Sequence, residues 1–173
     1  MPAPLFVAVL LALLVIPSTA VRALESDRDQ KAWIDADEVD LDFSTGKRIY
    51  RGNFSIKQCT IRIIADEVEL FYQGEQLKKA IARGNPAVFR QRPEQKLQDV
   101  IGQGKKIELD EINNIVTFFD QATIRQDSDT ISGDTIVYDL AQDKMKVRGQ
   151  TRTTKAPEQP KVNSRQPTTT LST

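Results

Sequence analysis

From residue 36 onward the apolar positions alternate with polar ones. Val39, Leu41 and Phe43 fall on one phase, with Asp40 and Asp42 between them. The same phase recurs at Val68/Leu70/Tyr72, Ile107/Leu109 and Ile136/Tyr138/Leu140. Successive side chains leave a strand on opposite faces, so a period of two predicts strands with one face buried. Turn-forming residues separate the runs: Ser44-Thr45-Gly46-Lys47, Glu111-Ile112-Asn113-Asn114 and Ala141-Gln142-Asp143. These predict hairpins.

The alternation belongs to a repeat. Ala36-Asp37-Glu38-Val39-Asp40-Leu41-Asp42 returns as Ala65-Asp66-Glu67-Val68-Glu69-Leu70-Phe71. Looser copies begin at Gly104-Lys105 and Gly133-Asp134. Each copy leads to a second mark: Gly52-Asn53, Gly84-Asn85, Asp120-Gln121 and Gly149-Gln150. A short alternating strand follows the first three marks: Phe54/Ile56, residues 87–89 and Ala122/Ile124. Four stacked copies of about three short strands each predict an all-β domain, because no single copy buries its apolar face alone. The polar stretch 90–99, with Pro93, lengthens one copy and reads as a surface loop.

Composition narrows the function. The 173 residues include no histidine and one cysteine, Cys59. Histidine-based triads, Cys-His pairs and His-based zinc sites are excluded, as is an intramolecular disulfide. No catalytic set, metal site or cofactor is expected. The many carboxylates alternate with apolar residues, which makes them the solvated face of strands. Residues 5–16 form an unbroken apolar run ended by Pro17. It suits a signal peptide, with cleavage after Ala20 or Ala23, and is short for a bilayer span of about 20 residues. Residues 1–23 are therefore expected to direct export and residues 24–154 to fold. The Pro/Thr/Ser-rich residues 155–173 are expected to be a disordered tail. Lysine plus arginine equal aspartate plus glutamate at 24 each, yet the charge is split. Residues 25–42 hold eight acidic and two basic side chains, a balance of −6. Residues 144–165 hold seven basic and one acidic, a balance of +6. That split favours head-to-tail association, and it equally suits plain solubility.

The stretch Gly52-Asn53-Phe54-Ser55-Ile56-Lys57-Gln58-Cys59-Thr60-Ile61-Arg62-Ile63-Ile64-Ala65-Asp66-Glu67-Val68 resembles the core motif of the LptA/OstA-like periplasmic lipopolysaccharide-transport proteins of Gram-negative bacteria. Gly84-Asn85-Pro86-Ala87-Val88-Phe89 and Ser132-Gly133-Asp134-Thr135-Ile136-Val137-Tyr138 fit the same pattern, so the resemblance covers about residues 31–153. It implies a slightly twisted, open β-jellyroll of about 12–16 antiparallel strands, stacked end to end by strand addition across the edges. It further implies a bridge between inner- and outer-membrane components of the lipopolysaccharide transport system. The acyl chains would lie in the apolar interior, and no nucleic acid would be involved. On that resemblance the inward, lipid-facing set is Ala32, Ile34, Val39, Leu41, Ile56, Ile61, Ile63, Val68, Leu70, Phe89, Leu109, Phe118, Ile124 and Ile136. Two departures stand out. Cys59 occupies a turn position where the family has glycine, which is strained if φ is positive, and Asp120-Gln121 replaces Gly-Asn. An edge-pairing scaffold with a packed interior and no lipid is the alternative.

Overall fold

The computed structural model describes residues 30–93 and 96–155; the expected signal peptide with its cleavage sites, and residues 156–173 of the expected tail, lie outside them. Ten antiparallel strands form a single sheet among the described residues. They are β1 (Ala32–Asp35), β2 (Glu38–Asp42), β3 (Lys47–Gln58), β4 (Ile61–Gln73), β5 (Gln76–Gln91), β6 (Val100–Asp110), β7 (Ile115–Gln126), β8 (Asp129–Asp139), β9 (Lys144–Arg148) and β10 (Arg152–Lys155). Strands β3 to β8 form a meander. Beyond it β1 and β2 both pair with β3, and β9 and β10 both pair with β8. The sheet is open, with β1–β2 along one edge and β9–β10 along the other.

The strand count falls below the 12–16 expected because the first three marks are bends within β3, β5 and β7; only the fourth, Gly149-Gln150, separates two strands, β9 and β10. Register shifts occur between Arg51 and Phe54, Ile64 and Glu67, Arg83 and Ala87, Gln103 and Lys106, and Phe119 and Ala122. These are bulges, and a bulge bends its strand. They line up across the sheet into one ridge, where the sheet folds over on itself into two facing layers. Asn53, Asp120 and Gln121 take left-handed φ of 47°, 58° and 58° there. Asparagine and aspartate tolerate that region best of the non-glycine residues. The Asn53 amide also donates to Asp37 Oδ2 at 2.8 Å.

The ridge explains the repeat. Its outer side is polar and exposed, at Asn53, Asp66, Asn85, Lys105, Asp120 and Asp134. Its inner side is buried and small, at Ala65, Ala87, Gly104, Ala122 and Gly133, because two backbones converge inside the fold. Gly52 has φ +73°, and a Cβ there would lie 2.3 Å from Asp37 Oδ2. In the third copy aspartate takes the glycine position and Lys105 takes the place of the facing acid. The other departure, Cys59, adopts the positive φ that its turn demands, 47°.

Between the layers lies a core that includes Phe54, Val68, Val100, Val116, Phe118, Ile124, Ile136 and Tyr138. Phe118 spans the gap. Its ring meets Phe89 of the opposite layer edge to face at 6.2 Å, and a Cβ on Gly102 would lie 2.2 Å from its Cζ. Gly102→Ala is therefore expected to lower unfolding free energy in urea by about 1–3 kcal/mol through overpacking.

Candidate functional site

The two layers part toward the N-terminal edge and leave an apolar hollow of about 270 Å³. The layer carrying residues 54–65 and 87–91 supplies Ile56, Ile61, Ile63 and Phe89; the other supplies Val68, Leu70 and Leu109. Ala32 and Ile34 of β1 complete the mouth. Strand pairing dictates this grouping. Ile34 pairs with Ile56, Ile56 with Ile63, and Ile63 with Phe89, so one phase of alternation forms one continuous wall. The opposite wall runs Leu70, Ala80, Leu109 in the same manner. An apolar cavity of about 150 Å³ already takes up benzene, so this one has room for part of an acyl chain.

Nine of the expected residues thus meet in one hollow: Ala32, Ile34, Ile56, Ile61, Ile63, Val68, Leu70, Phe89 and Leu109. Val39 and Leu41 share the inward phase but sit on the uncovered edge strand β2, 49% and 44% exposed. Phe118 and Ile136 are not in the hollow; they are fully buried and close its inner end. Ile124 lines a second, more polar hollow of about 280 Å³ at the C-terminal end, with Ile131, Met145 and Lys155. Among the described residues these two hollows are separate, and the buried Phe118 and Ile136 line neither and form a plug. Sequence reasoning missed Phe54, Tyr72, Leu77, Ala80, Ala82 and Ile107 as lining. Phe54 and Ile107 are in phase with Ile56 and Leu109 and were legible. Ala80 and Ala82 carry too little apolar surface to mark a phase.

Both edges are open to solvent. At the N-terminal edge Trp33, Ile34, Val39, Leu41 and Phe43 are exposed, Phe43 to 80%. The acidic Asp35, Glu38, Asp40 and Asp42 alternate with them. The C-terminal edge presents Lys144, Lys146, Arg148, Arg152 and Lys155. Within the sheet, opposite charges already pair across strands: Glu38–Arg51–Glu67–Arg83 forms a continuous row, and Lys47 and Arg83 both reach Glu69.

Opposite the ridge, an ion pair ties the free ends of the two layers. Lys96, which precedes β6 in one layer, meets Asp143 in the β8–β9 turn of the other at 2.5 Å. The buried Tyr138 hydroxyl donates to the same carboxylate at 2.7 Å. Burial pushes the Tyr138 hydroxyl well above its ordinary value, and the Asp143 carboxylate adds to that. The Lys47 ammonium and Arg83 guanidinium hold Glu69 below its ordinary 4.5, and Arg92 with Arg90 holds Asp99 below 3.8. The carboxylates bind protons less readily folded than unfolded. Their contribution is complete above the unfolded values and fades as pH falls through the folded ones. Tyr138 acts in reverse: its contribution is complete below its ordinary 10.0 and fades above. Thermal midpoints are expected to hold steady between about pH 5 and pH 10 and to fall on either side.

Residues 33–144 match the family described as LptA/(LptD N-terminal domain) LPS transport protein. The chain belongs to that family. Its lipopolysaccharide-export relatives include LptH of Pseudomonas aeruginosa, 30% identical over 123 residues, 70% of each chain. LptA of Escherichia coli K12 is 32% identical over 143 residues, 79% of this chain and 75% of the relative. The crystal structure of Pseudomonas aeruginosa LptH superposes with a TM-score of 0.71 at 25% identity, covering 76% of this chain and 99% of that one. It is described as the LptA-homologous periplasmic component of a conserved lipopolysaccharide transport device. The match confirms the all-β, open architecture, and the family is one of transport proteins, not enzymes.

Proposed function

We propose that this chain is a periplasmic lipopolysaccharide carrier, exported by its N-terminal signal peptide. Copies stack head to tail into a bridge between the inner- and outer-membrane parts of the transport system, and acyl chains rest in the apolar hollow. The observation that carries this is the hollow itself: its mouth is at an unpaired strand edge, so a stacked neighbour extends the walls and lengthens the apolar track. The hollow is open to solvent at that edge, so a stacked neighbour would cover its mouth. Family membership supports the lipopolysaccharide role. The plug around Phe118 favours a second reading, an edge-pairing scaffold with a closed interior.

Native mass spectrometry of residues 24–173, with and without lipopolysaccharide and over a range of protein concentrations, separates the two. Retained lipopolysaccharide together with a ladder of oligomers is expected. A ladder without lipid would leave the scaffold and end the carrier reading.

A further inference from the structure

The two open edges carry opposite charges along four shared rows, and the inference drawn from this rests on the head-to-tail stacking proposed above. Along the ridge every strand junction obeys one register rule. The residue just before each mark pairs with the residue just after the Asp or Lys that faces it. Arg51 pairs with Glu38 and Glu67, Arg83 with Glu67 and Lys106, Phe119 with Lys106 and Thr135, and Arg148 with Thr135. This row begins on Glu38 at one edge and ends on Arg148 at the other. The neighbouring outward rows do the same. One begins on Asp40, passes through Ile49, Glu69 and Ile81, and ends on Lys146. The next begins on Asp42 and ends on Lys144. In the other layer a row begins on Asp35, opposite Ser55, and ends on Arg152, opposite Ser132. Four outward rows begin on an acid and end on a base. In the layer of β2 and β9 the inward rows begin on Val39 and Leu41 and end on Val147 and Met145; in the other layer the inward row from Ile34 ends on Thr153 and the outward row from Trp33 on Thr154.

Placing β1–β2 of a second copy against β9–β10, ridge on ridge, continues every row by one more step. Strand β9 runs toward the ridge and β2 away from it; β10 runs away and β1 toward. Both new junctions are then antiparallel, like all the others. We infer that the chain stacks on a second copy of itself in this one register, Glu38, Asp40 and Asp42 of one copy facing Arg148, Lys146 and Lys144 of the next, and Asp35 facing Arg152. A slip of one residue turns charges against the apolar face, and a slip of two takes the bulges out of line. Edge-to-like-edge pairing sets acid against acid, so the contact propagates as an open filament and does not close into a dimer. Asp40 and Lys146 are exposed and form no ion pair or hydrogen bond among the described residues, so their charges are available for the contact.

The test uses Asp40→Lys and Lys146→Asp, each in the purified chain, with far-UV circular dichroism to confirm the sheet. Sedimentation velocity at low ionic strength is expected to show self-association weakened at least about tenfold in each variant, because like charges then face each other. An equimolar mixture is expected to recover assembly, since each variant's head then meets a tail of opposite charge. A cross-link provides a second readout in a Cys59→Ser background. Val39→Cys and Val147→Cys chains are expected to form a disulfide on oxidation, and Val39→Cys with Met145→Cys chains to form none. Variants that assemble as the unaltered chain does, a mixture that fails to recover, or cross-linking through Met145→Cys would overturn the register and leave stacking standing. An unaltered chain that stays monomeric at every concentration would overturn stacking itself.

Discussion

Replacing Phe118 by alanine is expected to cost about 3–5 kcal/mol of stability and to open the interior from end to end. The ring is completely buried and is the side chain that bridges the layers. Along β7 it pairs with Ile107 and Ile136, both buried, and across the gap it meets Phe89 and the open face of Gly102. No neighbour is placed to collapse into the space. Ile107 and Ile136 are fixed by strand register, and Gly102 has no side chain to move. Sites that cannot relax show the upper part of the cost range for a large-to-small change. The hollow near Leu70 and the one near Ile124 lie on either side of this ring, so its loss should join them. Urea unfolding measures the first effect. Titration with a fluorescent fatty acid measures the second, with more bound ligand per chain than in the unaltered protein. A stability change under about 1 kcal/mol with unchanged uptake would mean that Phe118 does not form the plug.

Strand identity was legible because the alternation is strict wherever one face is buried. What the sequence hid was the meaning of the marks. Gly52-Asn53 and Gly84-Asn85 read as turn residues, and turn residues end strands in most sheets. Here they permit a bulge, and the hydrogen-bond ladder resumes two or three residues on. Residues 47–58 therefore form one bent strand. Depth was hidden for a related reason. Val39 and Ile136 occupy the same phase of the same motif, yet one is half exposed and the other fully buried. Phase depends on the strand alone, whereas burial depends on how many strands lie to either side, and β2 is an edge. Of the lipid-facing candidates, those on β1, β3, β4, β5 and β6 came together because register aligned them. Phe118 and Ile136 shared the pattern but are completely buried, Phe118 against Phe89 of the opposite layer.

Ile63→Glu is expected to lower affinity for an acylated amphiphile at least about 100-fold while leaving the sheet and its oligomers in place. Ile63 lies in the middle of one wall of the hollow, flanked by Ile56 and Phe89. It is only partly buried, so a carboxylate there retains some contact with water in the empty protein and the fold should survive. Once an acyl chain occupies the hollow that water is displaced, and an unpaired charge against hydrocarbon is strongly unfavourable. The penalty thus falls on the bound state more than on folding, and each 1.4 kcal/mol of it is about tenfold in affinity. The neighbouring Ile64 provides the control. It points to the opposite face and is 59% exposed, so Ile64→Glu should bind as the unaltered chain does. Isothermal titration with lipopolysaccharide, alongside sedimentation velocity, reads both effects on one preparation. Lost binding at Ile63 with intact binding at Ile64 and intact oligomers places the lipid between the layers. Equal binding by both variants would move it outside the hollow, and the closed interior of a scaffold would then account better for the wall that Ile34, Ile56, Ile63 and Phe89 build.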